Sequence, residues 1–382
     1  MRVLYIAHDI RSRVGGIQRF NQRVLRCLSD IQAAGEIRCS VVALRDGSFD
    51  VGEGYGAIHV RGFHGSKLKA MSGAISRVLC GGFDLLLLDH LILSPVAALS
   101  KLRMPRSSCM MFVHGIEVWD DPAYRRPTRL EKLCTRRFVD RIASVSEFTA
   151  GRMQKAFAIP RERFAILPNA IDVPESSDGQ VRAARRCANR IITVARLDEW
   201  EKGVGQVIRA MPLVRARIAD AEYVVVGSGM IRAELEKLAG ECGVAPSVRF
   251  AGGVSDEELS RLYESSAVFA MPSSKEGFGI VYLEAWRYGL PVVAGNRDAS
   301  PEVVDDAVNG LIVDPTSPEA IARALVRLLE DPGYAKQLGA SGDEKLRRKY
   351  SHACFHARLR RMLLGGAASC AEEERAHAAG HP

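Results

Sequence analysis

Apolar positions along the chain fall into short buried-looking blocks separated by stretches with helical spacing. Arg2–Ala7 reads as a strand. The loop His8–Val14 leads through Gly15-Gly16 into Gln18–Ser29, where Phe20, Val24, Leu25 and Leu28 share one face. Further strands are predicted at Ser40–Ala43, Phe83–Leu88, Ser108–Val113, Arg141–Val145 and Phe164–Leu167, with helical patterns such as Leu130–Val139 between several of them. From Pro168 to about Asn189 the periodicity vanishes into a polar, turn-rich stretch that reads as an interdomain linker. The alternation then resumes. Strands fit Arg190–Ala195, Glu222–Val226, Val248–Ala251, Ala267–Met271, Pro291–Ala294 and Leu311–Val313. Helices fit Gly205–Ile218, Ile231–Cys242, Ser255–Ser265, Glu276–Tyr288, Glu319–Leu329 and Tyr334–Tyr350. Strands alternating with helices predict an α/β protein of two doubly wound, Rossmann-like domains with parallel sheets, which face each other across a cleft. A last helix, His352–Leu364, precedes residues 365–382, which lack apolar period and are expected to be disordered.

One stretch organises the second half. The apolar run Val268 to Met271 stops at Pro272, and Gly277 and Gly279 bracket Phe278 where the chain must turn tightly. Helical spacing runs from Ile280 to Tyr288, and Gly289-Leu290-Pro291 ends it. Glu276 therefore precedes a helix N-terminus, and Glu284 lies about two turns further on. Unpaired N–H groups at that terminus favour a phosphate or a hydroxyl-rich ligand, and two carboxylates beside them can grip sugar or ribose hydroxyls. A surface turn with one acid near the helix dipole and one in solvent fits the same spacing.

Composition narrows the class. At 382 residues, 47% hydrophobic and 26% charged, the chain has the length of two ordinary domains and the make-up of a globular protein with a full core. The most apolar stretches, Leu85–Leu88 and Leu91–Leu99, are too short to span a bilayer, and Met1–Ile6 runs straight into charged residues, unlike a signal peptide. Nine cysteines without a CxxC pair indicate neither a disulfide framework nor a zinc site, and they suit a reducing cytoplasm. Charge is uneven. Residues 1–170 carry 26 Lys and Arg against 15 Asp and Glu, the remainder 27 against 30, an imbalance that suits an anionic partner of the first half and equally an ordinary solvated face.

Several other residues stand where a doubly wound sheet presents its ligand. Arg196 follows the first strand of the second domain, and Lys202 lies in Glu199-Trp200-Glu201-Lys202-Gly203; a diphosphate needs such positive charge. Val226-Gly227-Ser228-Gly229 ends a strand in a turn where backbone can approach a ligand. His114-Gly115 puts an imidazole at a strand end of the first domain, which a structural histidine would equally do. Asp305-Asp306 reads as a turn pair, and no convincing Asp-x-Asp metal motif is present.

Taken together, Gly15-Gly16, His114-Gly115-Ile116-Glu117, Pro168-Asn169, Arg196…Lys202-Gly203, Val226-Gly227-Ser228-Gly229 and Glu276…Glu284 resemble, in their order, the retaining glycosyltransferases of the GT-B fold, family four. The resemblance covers roughly residues 1–360. It implies that Gly15 and Gly16 approach the donor diphosphate or the acceptor. Arg196 and Lys202 would neutralise the diphosphate with backbone amides around Phe278, Gly279 and Ile280, and Gly227 and Gly229 would belong to the donor site. Glu284 would bind the ribose, Glu276 a sugar hydroxyl, and His114 the sugar near its anomeric centre or 6-hydroxyl. Fixed cations and helix amides would stabilise the leaving diphosphate, so no metal or cofactor is required. It divides the chain into a domain over 1–170, a linker over 171–189, a donor domain over 190–350, and a helix over 351–364 that returns to the first domain. Two departures stand out: Ala170 follows Pro168-Asn169 where the family often has Gly, and Arg297-Asp298 replaces a Gly-rich segment.

The expectation is a cytoplasmic enzyme that moves a hexose from a nucleotide sugar, GDP-mannose or a UDP-hexose, to a glycan or lipid-diphosphate-linked acceptor in cell-surface polysaccharide assembly. A GT-B nucleotide-sugar epimerase and a non-catalytic basic binding protein are the alternatives. Nucleic acid is not an expected partner, because the Arg-rich stretches lack interleaved aromatics. Arg11, Arg13, Arg19, Arg23 and Arg26 lie in the first loop and helix, the last three recurring at steps of four and three on one face, and with Arg125, Arg126, Arg129, Lys132, Arg136 and Arg137 they predict a basic face toward an anionic membrane.

Overall fold

The computed structural model describes residues 1–12, 15–52, 54–122, 126–173 and 187–365; most of the predicted linker, nearly all of the predicted tail, Arg13 and Arg125 lie outside these. The chain divides into two compact units. The first holds residues 1–168 with the segment from Ala353 onward, and the second Asn169–His352.

The first unit is built on eight strands: β1 Arg2–Ala7, β2 Arg38–Ala43, β3 Phe49–Val51, β4 Ile58–Gly62, β5 Leu85–Leu88, β6 Ser108–Val113, β7 Arg141–Ser144 and β8 Phe164–Ile166. Their order in the sheet is β3-β4-β2-β1-β5-β6-β7-β8. β5, four leucines all buried, sits in the middle because a strand covered on both faces needs no polar side. The sheet is parallel except at its edge, where β3 pairs antiparallel with β4 (Phe49 opposite Val60), a departure from the wholly parallel expectation. The link from β3 to β4 is too short for a helical crossover, so the chain can only turn back. The helix Lys67–Cys80 that follows β4 also goes beyond the elements predicted from spacing.

The C-terminal helix His352–Leu364 completes this unit. Phe355 meets Phe20 edge to face at 5.4 Å, Arg360 pairs with Glu36 at 2.7 Å, and Arg141 Nη1 reaches the Met362 carbonyl. This packing corrects one expectation. Arg23, placed on a free basic face with Arg19 and Arg26, is buried, its guanidinium 5.9 Å from the centre of the Phe355 ring. Only Arg26 of the three is exposed.

The second unit has six parallel strands, β9 Arg190–Val194, β10 Glu222–Val226, β11 Val248–Gly252, β12 Val268–Met271, β13 Val292–Gly295 and β14 Gly310–Val313, in the order β11-β10-β9-β12-β13-β14. Both sheets are doubly wound. In each, the chain builds outward from a first strand (β1 or β9), then crosses to its other side (β5 or β12). The carboxyl ends of those strand pairs are the switch points where such sheets bind ligands. Among the described residues no helix is long and apolar enough to cross a membrane.

Candidate functional site

In the second unit the switch point lies between β9 and β12, and the loops that leave those strands are stitched together. Gly203, at φ +81°, closes the turn Trp200–Lys202 so near the Pro272 carbonyl that a Cβ would lie 2.3 Å from its oxygen. Ser273 Oγ and the Ser274 amide both donate to the Glu201 carbonyl, at 3.0 and 2.9 Å, and Lys275 pairs with Glu201 at 3.1 Å. This stitching delivers Lys202 to Glu276, whose Oε2 accepts from Nζ at 2.7 Å, with 18% and 19% of the two side chains exposed. Burial alone would lower the Lys202 pKa, but the Glu276 carboxylate outweighs it and the net shift is upward. The pair is thus a desolvated cation and anion at the mouth of the sheet. Arg196 is exposed at the end of β9, close enough for its charge to act on Lys202.

The helix after Glu276 starts at Ile280, not at Glu276, because Gly279 takes a left-handed conformation (φ +86°) and caps it. A Cβ there would strike the Tyr282 ring at 2.2 Å, so glycine is obligatory. The Phe278 side chain is buried and meets Tyr350 edge to face at 5.5 Å, anchoring the turn and leaving only its backbone for a ligand. Glu284, just past the first turn of this helix, accepts from the Tyr263 hydroxyl at 3.1 Å, which holds its carboxylate in place. Trp286 fixes the helix from below: it is fully buried and donates from Nε1 to the Asn309 carbonyl at 2.9 Å.

Asp298 is a residue whose role spacing did not reveal. It is 5% exposed, accepts from the Glu276 amide at 2.7 Å and from the Ser300 amide at 2.9 Å, and so buckles the Glu276 loop to the start of the helix Ser300–Val303. Burial pushes its pKa up to about 6 against the pull of the Ser300 and Glu276 hydrogen bonds, and the Glu276 charge adds to the rise. Its neighbour Arg297 turns outward to Asp314 and Thr316, both at 3.1 Å. The available signal was Asp298-Ala299-Ser300-Pro301, an acidic residue just before a proline-started helix.

The glycines divide into two kinds. A Cβ on Gly227 would lie 1.9 Å from the Ala195 carbonyl oxygen, and one on Gly229 2.1 Å from the Leu197 carbonyl carbon. Packing of the β10 turn against the β9 loop therefore explains both without a ligand. Gly16 differs: a Cβ there meets nothing within 4 Å, and on Gly15 only the Gln18 side chain. Gly227→Ala is accordingly expected to lower the melting temperature, with overpacking costing about 1–3 kcal/mol. Gly16→Ala should melt like the wild type yet bind its ligand less tightly. Equal melting temperatures for the two variants would contradict this division.

In the first unit the switch point lies between β1 and β5. Asp89, just past β5, is buried; it accepts from the His8 amide at 2.8 Å and from Asn21 Nδ2 at 2.7 Å. Burial pushes its pKa up to about 7, against those two hydrogen bonds. Asn21 also donates to the Asp9 carbonyl at 2.8 Å and accepts from Tyr5 at 3.0 Å, so the helix Gly16–Ala33 is pinned to the strand ends behind Gly15-Gly16. His114, past β6, approaches the Asp89 carbonyl through Nε2 at 3.1 Å. A carbonyl only accepts, so Nε2 carries the proton and Nδ1 keeps its lone pair. Burial lowers the His114 pKa, the nearby Glu117 charge opposing, and the ring is neutral near pH 7. Among the described residues no group of three or more His, Cys, Asp or Glu side chains is placed to hold a metal ion.

Comparison with known proteins agrees with this architecture. Residues 14–175 match the profile described as Glycosyltransferase Family 4, and residues 180–345 that of Glycosyl transferases group 1. The GDP-mannose-dependent monoacylated alpha-(1-6)-phosphatidylinositol monomannoside mannosyltransferase of Corynebacterium glutamicum is 30% identical over 281 residues, covering 67% of this chain and 70% of that one. The chain therefore belongs to the group 1 glycosyltransferases, glycosyltransferase family 4. The GDP-mannose-dependent alpha-(1-6)-phosphatidylinositol monomannoside mannosyltransferase of Mycobacterium tuberculosis is 35% identical over 240 residues, a match spanning 59% of this chain and 62% of the relative's length. Among solved structures, Anabaena HepE with UDP superposes with a TM-score of 0.74 at 18% identity, covering 95% of this chain and 99% of that one. Sucrose-phosphate synthase from Thermosynechococcus elongatus gives 0.76 at 19% identity, covering 95% and 98%. At such identities the likeness concerns the fold, which is GT-B.

Proposed function

We propose that the protein is a retaining, metal-independent hexosyltransferase that moves a sugar from a nucleotide donor to a lipid-linked or glycan acceptor at the inner face of a membrane. The observation that carries this is the meeting of Lys202, Glu276 and the helix start at Ile280 at the β9/β12 switch point, with Arg196 beside them. Two cations and a helix N-terminus suit a diphosphate, and a carboxylate among them suits a sugar hydroxyl. As the sugar–phosphate bond breaks, charge grows on the leaving diphosphate, and Arg196 and Lys202 stabilise it in the role a divalent cation has elsewhere. Glu284 takes the ribose. In the first unit neutral His114 offers its Nδ1 lone pair to a sugar hydroxyl, and the Gly15-Gly16 backbone leaves room for donor or acceptor. The names of the relatives favour GDP-mannose as donor and a phosphatidylinositol-type glycolipid as acceptor.

The test begins with thermal shift against GDP, UDP, ADP and dTDP, since a nucleotide that binds the folded state raises its midpoint. GDP is expected to give the largest shift, and Glu284→Ala to lose most of it. An undiminished shift in Glu284→Ala sinks the ribose assignment. Mannosyl transfer from GDP-mannose should then persist in excess EDTA and give a product with the donor's anomeric configuration. Loss in EDTA that magnesium or manganese restores overturns the metal-free part, and an inverted product overturns the retaining part.

A further inference from the structure

We propose that the helix Lys67–Cys80, with the two helices packed beside it, is a docking face for an anionic lipid surface. The helix has an apolar arc wider than the core can cover. Ala70, Ala74 and Val78 are buried in the first unit's core. Leu68, Met71, Ile75 and Leu79, spaced i, i+3, i+7 and i+11, form the adjoining stripe and are 86%, 47%, 36% and 46% exposed. Single exposed leucines are ordinary, but a continuous stripe of four along one helix marks a contact surface.

The stripe continues sideways. The helix Ser94–Arg103 packs against Lys67–Cys80 and carries Leu102, 79% exposed; the helix Arg129–Phe138 packs against it in turn and exposes Leu130 and Leu133. Basic residues edge this layer. Arg103 donates from Nε to the Leu79 carbonyl at 3.2 Å, which places its guanidinium beside the stripe, and Lys69, Arg106 and Arg129 are exposed nearby in the chain. The first two helices contain no acidic residue, and Glu131, the sole acid of the third, is buried in its own N-terminal cap with Thr128. Asp140, an exposed acid just past the third helix, is paired with Lys101 at 2.7 Å, so the layer presents apolar side chains edged by Lys and Arg and complements a bilayer with anionic headgroups. A second copy docked here by two-fold symmetry would set Lys69 and Arg103 against their own kind. The basic residues Arg19, Arg23 and Arg26 belong to a different helix, and Arg23 is covered there.

The inference gives the lipid-linked acceptor proposed above its surface, yet the vesicle-binding measurement that decides it uses neither donor nor acceptor. The full chain is sedimented with vesicles of phosphatidylcholine alone and of phosphatidylcholine mixed with phosphatidylglycerol. Wild type is expected to bind the mixed vesicles, with a residue of binding that survives about 0.5 M salt, because salt screens the charges but not the apolar contact. Leu68→Asp with Leu79→Asp should weaken binding about tenfold or more, in keeping with lost apolar burial. Arg103→Glu should reduce the preference for anionic vesicles, and Arg26→Glu should change nothing. Melting temperature and transfer to a water-soluble acceptor should stay at wild-type values in the double variant, so that failed binding is separated from failed folding or failed chemistry. Equal vesicle binding by the double variant and wild type overturns the proposal, and so does a lipid-free dimer that Leu68→Asp dissociates.

Discussion

Lys202→Ala is expected to lower turnover by about 10²-fold or more, the usual cost of removing one preorganised donor from developing charge. The structure adds a second expectation that distinguishes this lysine from a general source of positive charge. Its ammonium already neutralises Glu276 at 2.7 Å, in a place where each side chain keeps less than a fifth of its surface. Removing Lys202 strands a carboxylate beside the incoming diphosphate, and the added repulsion is a cost of the truncation rather than of the lost contact. Glu276→Gln should therefore relieve part of the defect in the Lys202→Ala background while slowing the wild type. Steady-state rates across the four combinations check this. Strictly additive losses, or a Lys202→Ala enzyme with wild-type turnover, would show that the pair does not act as a unit.

Asp298→Ala is expected to slow turnover by roughly tenfold to a hundredfold without touching the nucleotide, because the Glu276 amide loses a charged acceptor of about 1.5–3 kcal/mol. The same buckle makes a pH prediction. With a pKa raised to about 6, the carboxylate is ionised at neutral pH and accepts both amides; as pH falls through about 6 it gains a proton and the Glu276 loop loosens. Turnover should thus fall on the acid side of about pH 6. Stability runs the other way. A carboxyl whose folded pKa lies above its ordinary 3.8 favours the protonated fold, so its contribution is full below that value and declines as pH rises toward 6. His114, whose pKa burial lowers, contributes its own acid limb, so the informative quantity is the difference between wild type and Asp298→Asn. Identical profiles for the two would remove Asp298 from any control of the loop.

Much of the architecture is readable from the residues. Strand runs such as Leu85–Leu88 and Val268–Met271 are buried on both faces and leave no ambiguity of period, and Arg2–Ala7, Ser108–Val113, Glu222–Val226 and His352–Leu364 begin and end where spacing puts them. The edge was harder to read: β3 is three residues long, and in Lys67–Cys80 apolar residues run past the buried face onto exposed positions such as Leu68 and Leu79, which blurs the helical period. In the site, Arg196, Lys202 and Glu276 were legible because a charge at a strand end has few structural uses, and the fold brings them to one switch point. Asp298 and Asp89 were not, since each acts on the backbone of a residue distant in sequence. Gly227 and Gly229 carried a signal that had another cause, the approach of one strand-end turn to the next. Arg23 shows the limit of helical spacing, which says which residues share a face but not what will lie over it.

The first unit is assembled from both ends of the sequence. Phe20, Arg23 and Glu36 find Phe355 and Arg360 more than three hundred residues later. During synthesis the nascent chain must therefore present nearly the whole of the second unit to the ribosome exit before the first can close. Domains ordinarily fold as units in the order they emerge. Here the second unit has its last residue, His352, out of the ribosome while the first still awaits its final helix. Until that helix arrives, the flank of Gly16–Ala33 that Phe355 covers stays open to chaperones and proteases.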